Sequence, residues 1–138
     1  MSTSMIELVW DTEQAGTAIA PSGASAIIGE GAPFSPEDLL AMAAAGCLMR
    51  SLLALATKAG VTLMSYAATA QVGAHDATGE PQIVVHGYVV ASSGCDEHLV
   101  HQLCRASVQR SPMARLLGPR LTSTWDIRVL SAPAPTVH

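Results

Sequence analysis

Ser35-Pro36-Glu37-Asp38-Leu39-Leu40-Ala41-Met42-Ala43-Ala44-Ala45-Gly46-Cys47-Leu48-Met49-Arg50, running on to about Ala59, is the stretch whose reading decides the fold. It carries a helix start and a helix stop. The Ser35 hydroxyl can cap the first turn, Pro36 suits the first helical position, and Asp38 completes a capping box. Gly60 is a typical C-terminal stop. Between them the chain is almost wholly apolar, with Arg50 the only charge in the middle. A helix that is apolar on every side is expected to be buried on every side. A thiol, Cys47, sits in its midst.

The surrounding sequence reads as short strands and one further helix. Met5 to Trp10, Thr17 to Ala20 and Ser25 to Gly29 alternate as three strands, with turns at Asp11 to Gly16 and Pro21-Ser22-Gly23. After the long helix, Thr62 to Ala74 and Gln82 to Ala91 are strands joined by a turn over His75 to Pro81. Asp96 opens a second helix to about Gln109, with Leu99, Val100, Leu103, Ala106 and Ser107 as its apolar face. Ser111-Pro112 ends or kinks it, and Met113 to Leu117 can add a turn. Leu121 to Leu130 is a last strand, and the Pro-rich residues 131–138 are expected to be a frayed tail. The order βββ-α-ββ-α-β predicts an α+β class with antiparallel sheets around a long central helix. Residues 1–138 read as one domain, with neither a repeat nor a linker.

Composition narrows the function. The chain has 138 residues, 49% of them hydrophobic and only 13% charged, with net charge −4. A typical domain carries about 25% charged residues. So little charge on so small a domain implies a large apolar contact between copies of the chain. Lys58 is the only lysine, and no basic stripe is present for nucleic acid. Arg50 interrupts the longest apolar run and Glu37-Asp38 precede it, so no membrane span is read. The N-terminus lacks the pattern of a secretory signal. Three cysteines, an odd number, read as thiols of a reducing compartment, and the expected location is cytoplasmic.

Two readings fit Cys47: an inert small hydrophobe, or a reactive group in a dry pocket. Arg50, one turn later on nearly the same face, would favour the thiolate; it could equally form a salt bridge across a subunit interface. Glu37 lies ten residues before Cys47, roughly 15 Å along a straight helix. Both can serve one site only if the helix breaks or Glu37 comes from a second subunit. Otherwise Glu37 is a helix-start residue favoured by the dipole. Cys104 reads as core packing beside the apolar face of the second helix, and Cys95 as an exposed turn residue. His98 and His101 could pair on a metal, but nothing is placed to complete a ligand set, so no metal or other cofactor is expected.

These residues together resemble the OsmC/Ohr family of osmotically induced and organic-hydroperoxide-resistance proteins. The resemblance rests on Ser35-Pro36-Glu37-Asp38-Leu39-Leu40 followed by Ala44-Ala45-Gly46-Cys47. It rests also on Ser111-Pro112-Met113-Ala114-Arg115, which resembles the family's Cys-Pro-x-Ser-Arg motif. It covers roughly Gly31 to Leu130. It implies an intertwined homodimer with active sites at the subunit interface. It implies that Cys47, with Glu37 and an arginine beside it, attacks an organic hydroperoxide and becomes sulfenic acid, that a second cysteine condenses with it to a disulfide, and that a dithiol reductant resets the pair. Two departures stand out. The family's second cysteine falls on Ser111, and no arginine precedes Arg50. Arg50 from within the helix, or Arg115 or Arg120 from elsewhere, could replace the missing arginine. Cys104, two turns before Ser111, would have to reach about 10 Å further to act as a displaced second thiol. A one-cysteine peroxidase is therefore the leading expectation. The alternative is a dimer without turnover that binds a small hydrophobic ligand in the interfacial pocket.

Overall fold

The computed structural model describes residues 5–75 and 79–131. The chain groups into two compact units, Met1–Leu40 and Ala41–His138.

The first unit is a three-stranded antiparallel meander of β1 (Glu7–Thr12), β2 (Ala15–Ile19) and β3 (Ser25–Gly29). The expected turn over Asp11 to Gly16 is tighter than the sequence implied, because Thr12 already pairs with Ala15. Only Glu13 and Gln14 lie between them, and Glu13 takes a left-handed φ of 48°. Trp10 Nε1 donates to the Glu13 carbonyl at 2.7 Å and holds the turn. Gly29 is required here: its φ is 110°, and a Cβ would stand 2.1 Å from the Gln14 carbonyl oxygen. The unit buries little of its apolar surface. β1 is exposed along its whole length, Trp10 is 74% exposed, and Leu8, Val9, Ile27 and Phe34 are exposed as well.

Helix α1 (Pro36–Ala59) starts as its sequence dictates. The Asp38 amide donates to Ser35 Oγ at 3.1 Å and the Ser35 amide donates to Asp38 Oδ2 at 3.0 Å, a reciprocal capping box. Gly60, at φ 73°, ends it. One expectation is corrected. Within a single chain α1 buries only Ala44, Leu48, Leu52 and Ala56, one stripe at four-residue spacing. Leu40, Met42 and Leu53 are exposed. By length and composition alone α1 could also cross a membrane. Its one buried stripe packs into cores shared with a sheet and a helix.

The second sheet has the order β4-β5-β6, with β4 (Leu63–His75), β5 (Pro81–Ala91) and β6 (Leu121–Val129). The expected turn over His75 to Pro81 falls partly, and the expected frayed tail almost wholly, outside the described residues. β4 and β5 are antiparallel, but β5 and β6 are parallel, so the expectation of antiparallel sheets fails for this pair. The chain between them runs through α2 (Glu97–Arg110), α3 (Pro112–Leu117) and a 3-10 turn at Gly118–Arg120. A crossover that long can return β6 in the direction of β5, where a hairpin cannot. As the sequence implied, Ser111 ends α2, and Pro112 begins a separate short helix, α3.

Two clusters form the core of this unit. Leu52 and Ala56 of α1 meet Val89 and Ala91 of β5 and Val100, Leu103 and Cys104 of α2. Ala44 and Leu48 meet Ile83, Val85 and Leu121, with Val108, Ala114 and Leu117 packed against them. The buried face of α2 is Val100, Leu103, Cys104 and Ser107. It is turned from the predicted face, so that Cys104 stands within it and Leu99 and Ala106 flank it.

Candidate functional site

Three thiols were candidates, and the fold gives each a different environment. Cys47 is half-buried on α1, one residue before the buried Leu48, and belongs to neither core cluster. Cys104 is 1% exposed in the first cluster, and burial pushes its thiol up to about 12. A buried thiolate loses its hydration with nothing in return, so Cys104 stays protonated at neutral pH. Cys95 is half-buried rather than exposed. It packs against the first cluster, and its Sγ lies 3.4 Å from Ser92 Oγ.

The charged candidates lie on the surface of the single chain. Arg50, three residues after Cys47, shares its side of α1 but is exposed. Glu37 is exposed on the first helical turn, inside the stretch of positive dipole that favours a carboxylate. α1 is unbroken between Glu37 and Cys47, so the ten-residue separation stands at roughly 15 Å. Among the described residues no ion pair or hydrogen bond involves the side chain of Glu37, Cys47 or Arg50. Arg115 is exposed on α3, its amide donating to the Ser111 carbonyl at 3.2 Å. Arg120 Nη2 lies 3.7 Å from Glu80 Oε2.

Ser111 occupies an unusual position. It is the C-cap of α2 and the N-cap of α3 at once, and its backbone N–H and C=O are both bonded, to Val108 and Arg115. A serine at an N-cap normally turns its hydroxyl onto the first helical turn, a bond worth about 1 kcal/mol. Here it makes no cap bond, is 0% exposed, and leaves Oγ without a partner among the described residues. Leaving a buried hydroxyl unsatisfied costs roughly 1–3 kcal/mol. Val108 and Ala114 on either side of it pack against the cluster built on Ala44 and Leu48, the buried residues nearest Cys47.

Further polar groups lie beside it. Cys104, Ser107 and Ser111 share one buried side of the helix at i, i+3 and i+7, and Ser107 Oγ donates to the Cys104 carbonyl at 2.6 Å. Tyr66, on β4, reaches the same interior. Its hydroxyl lies 3.5 Å from the Ala45 carbonyl, two residues before Cys47. Burial, and then the nearby Cys104, push its phenol above the usual range. The i, i+3, i+7 spacing was visible in the sequence; the arrival of Tyr66 from another element was not.

His98 is exposed and His101 half-buried, with His101 Nε2 3.8 Å from Glu97 Oε1 and His98 Nε2 3.3 Å from the Gln102 amide. Among the described residues no three His, Cys, Asp or Glu side chains gather as a metal site.

The chain matches the family model described as OsmC-like protein over residues 29–126, more than half its length. No curated protein sequence matches it significantly. Among solved structures it is similar to the OsmC-like protein of Mycoplasma pneumoniae, at 13% identity and TM-score 0.76, covering 94% of this chain and 98% of that one. It is similar to an OsmC-like protein of unknown function from Vibrio cholerae, at 17% identity and TM-score 0.73, covering 92% and 99%. It is also similar to the organic hydroperoxide resistance protein OhrB of Bacillus subtilis, at 15% identity and TM-score 0.67, covering 92% and 98%. With the family model spanning both helix motifs and the α+β fold shared throughout, the chain belongs to the OsmC family.

Proposed function

We propose that this chain is a thiol-dependent peroxidase that reduces organic hydroperoxides through Cys47. One observation carries the reading: Cys47 is half-open on α1 and outside both core clusters, whereas Cys104 is sealed and stays protonated. The name of the Bacillus subtilis relative adds the hydroperoxide. The Cys47 thiolate attacks one peroxide oxygen, an S–O bond forms as the O–O bond breaks, and the alkoxide leaves as the alcohol after taking a proton. Cys47 is then a sulfenic acid. An external thiol condenses with it, releasing water and forming a mixed disulfide; a second external thiol attacks that bond, leaves as the oxidised external disulfide and restores the Cys47 thiol. With Ser111 at the second motif and Cys104 buried, a one-cysteine cycle fits this chain.

The working form is a homodimer of single-domain chains in a reducing, cytoplasmic setting. The exposed apolar residues of α1 and of the meander are the surfaces such a dimer would cover. Glu37 then reaches Cys47 from the other chain, and Arg50, with Arg115 as a further source of charge, stabilises the thiolate. The test is stopped-flow oxidation by cumene hydroperoxide of the native chain and of Cys47→Ser, with sulfenic acid trapped by dimedone. Fast consumption and a dimedone adduct only in the native chain support the reading. Equal, slow consumption by both ends it.

The orphan hydroxyl of Ser111 favours a second reading, a dimer that binds a small hydrophobic ligand without turnover. Titration of Cys47 alkylation against pH separates the two. A thiol near the ordinary value of about 8.5 favours binding, and a depressed one favours catalysis.

A further inference from the structure

A broad, open depression of about 530 Å³, a shallow cleft, lies between α2 and the edge strand β6. Ligand pockets commonly measure roughly 300–1,000 Å³. Cys47 and Ser111 are not among its lining residues, and it is independent of the peroxidase reading.

One wall is a preformed aromatic surface. Trp125 stands directly opposite Gly87 in the β5–β6 register. Its ring lies where a side chain at 87 would be, since a Cβ there would sit 2.5 Å from Cζ3. On the core side its centroid is 6.4 Å from that of Tyr66, at a tilt of 55°. The indole is thus held between a glycine and a tyrosine while part of it lines the cleft. A wall already locked in place costs no ordering entropy when a ligand stacks on it.

The opposite wall is polar. His101, Arg105 and Gln109 line the cleft at four-residue spacing along α2, with Val108 beside them as an apolar patch. Arg105 is exposed, and among the described residues it has no carboxylate partner. The nearby carboxylate of Glu97 lies 3.8 Å from His101. Gln109 and Ser123 add neutral hydrogen-bonding groups. Only one permanent positive charge faces the cleft, which suits a monoanion, and the guanidinium fork matches a carboxylate in bidentate fashion. The volume exceeds what a carboxylate alone fills, and the indole wall suits a flat apolar body.

We infer that this cleft binds a planar aromatic carboxylate, the acid group on Arg105 and the ring against Trp125. In a Trp10→Phe chain Trp125 is the only tryptophan and reports the site by its fluorescence. The full chain is titrated with 4-phenylbenzoate and with the uncharged 4-phenylbenzamide, before and after Arg105→Gln. A saturable change with the acid is expected, weakened at least about tenfold both by Arg105→Gln and by the amide, the factor that a hydrogen bond to a charged group is worth. Arg105 is exposed, so Arg105→Gln should keep the native Tm, which separates lost binding from lost folding. Equal binding of acid and amide, indifference to Arg105→Gln, or no saturable change overturns the proposal. Trp125 shielded from iodide by a second copy seated on the cleft overturns it too.

Discussion

Gly87 and Trp125 face each other across the parallel β5–β6 pair, and the indole fills the space that a Cβ on residue 87 would need. The contact joins the two core clusters, because Trp125 packs against both. Gly87→Ala forces the ring aside, and overpacking of this kind costs about 1–3 kcal/mol. A lower denaturant midpoint and an altered Trp125 emission are expected, the latter in a Trp10→Phe background. Unchanged values of both would show that the ring has room to move.

The capping box of α1 is a local device with a local cost. Ser35→Ala removes the bond to the Asp38 amide and should destabilise the chain by about 1 kcal/mol. Ser35→Gly should cost only a few tenths. Chemical denaturation of the two variants checks the order.

Cys104 should be silent toward thiol reagents in the folded protein and reactive after unfolding, because it is 1% exposed and protonated. Mass spectrometry after iodoacetamide labelling, with and without denaturant, reads this directly. Native labelling of Cys104 at the rate of Cys47 would contradict the burial.

The same thiol makes stability depend on pH at the alkaline end. Its folded value, about 12, lies above the unfolded value of about 8.5. Above about 8.5 the unfolded chain releases a proton that the folded chain keeps, so stability falls with rising pH. The contribution is fully present below about 8.5 and is lost progressively up to about 12. Cys104→Ala should flatten that slope. The substitution should also lower the raised Tyr66 phenol, since Cys104 is one of its causes. Absorbance titration in a Tyr88→Phe background follows Tyr66 alone.

Ser111→Ala removes a buried hydroxyl that has no partner among the described residues. Stability should stay level or rise by about 1 kcal/mol, because a desolvated polar group is deleted without breaking a bond. If the hydroxyl serves the peroxide, turnover falls while stability does not. A clear loss of stability would mean that Ser111 has a partner in solution.

Local chemistry was legible residue by residue. Ser35, Pro36, Asp38 and Gly60 bounded α1 correctly, and Asp96 caps α2 by accepting from the His98 amide at 3.0 Å. Ser111-Pro112 marked the break between α2 and α3. Each signal acts within one turn of chain, where sequence neighbours are spatial neighbours. The parallel return of β6 was not legible, because strand direction depends on where a whole crossover lands. The rotation of α2 that moves Leu99 and Ala106 to the flank of its buried face was missed for a related reason. Helical periodicity ranks faces by polarity, and a thiol and a serine next to leucines leave the ranking nearly level.

The sequence by itself determined the element order, the helix boundaries and the family motifs around Cys47 and Ser111, since capping, turn chemistry and periodicity are short-range. Only the tertiary structure decided how far each thiol is sealed, that the Ser111 hydroxyl is buried without a partner among the described residues, and that Trp125 lies over Gly87. Burial and desolvation are properties of surfaces brought together from distant parts of the chain, and no local pattern encodes which surfaces meet.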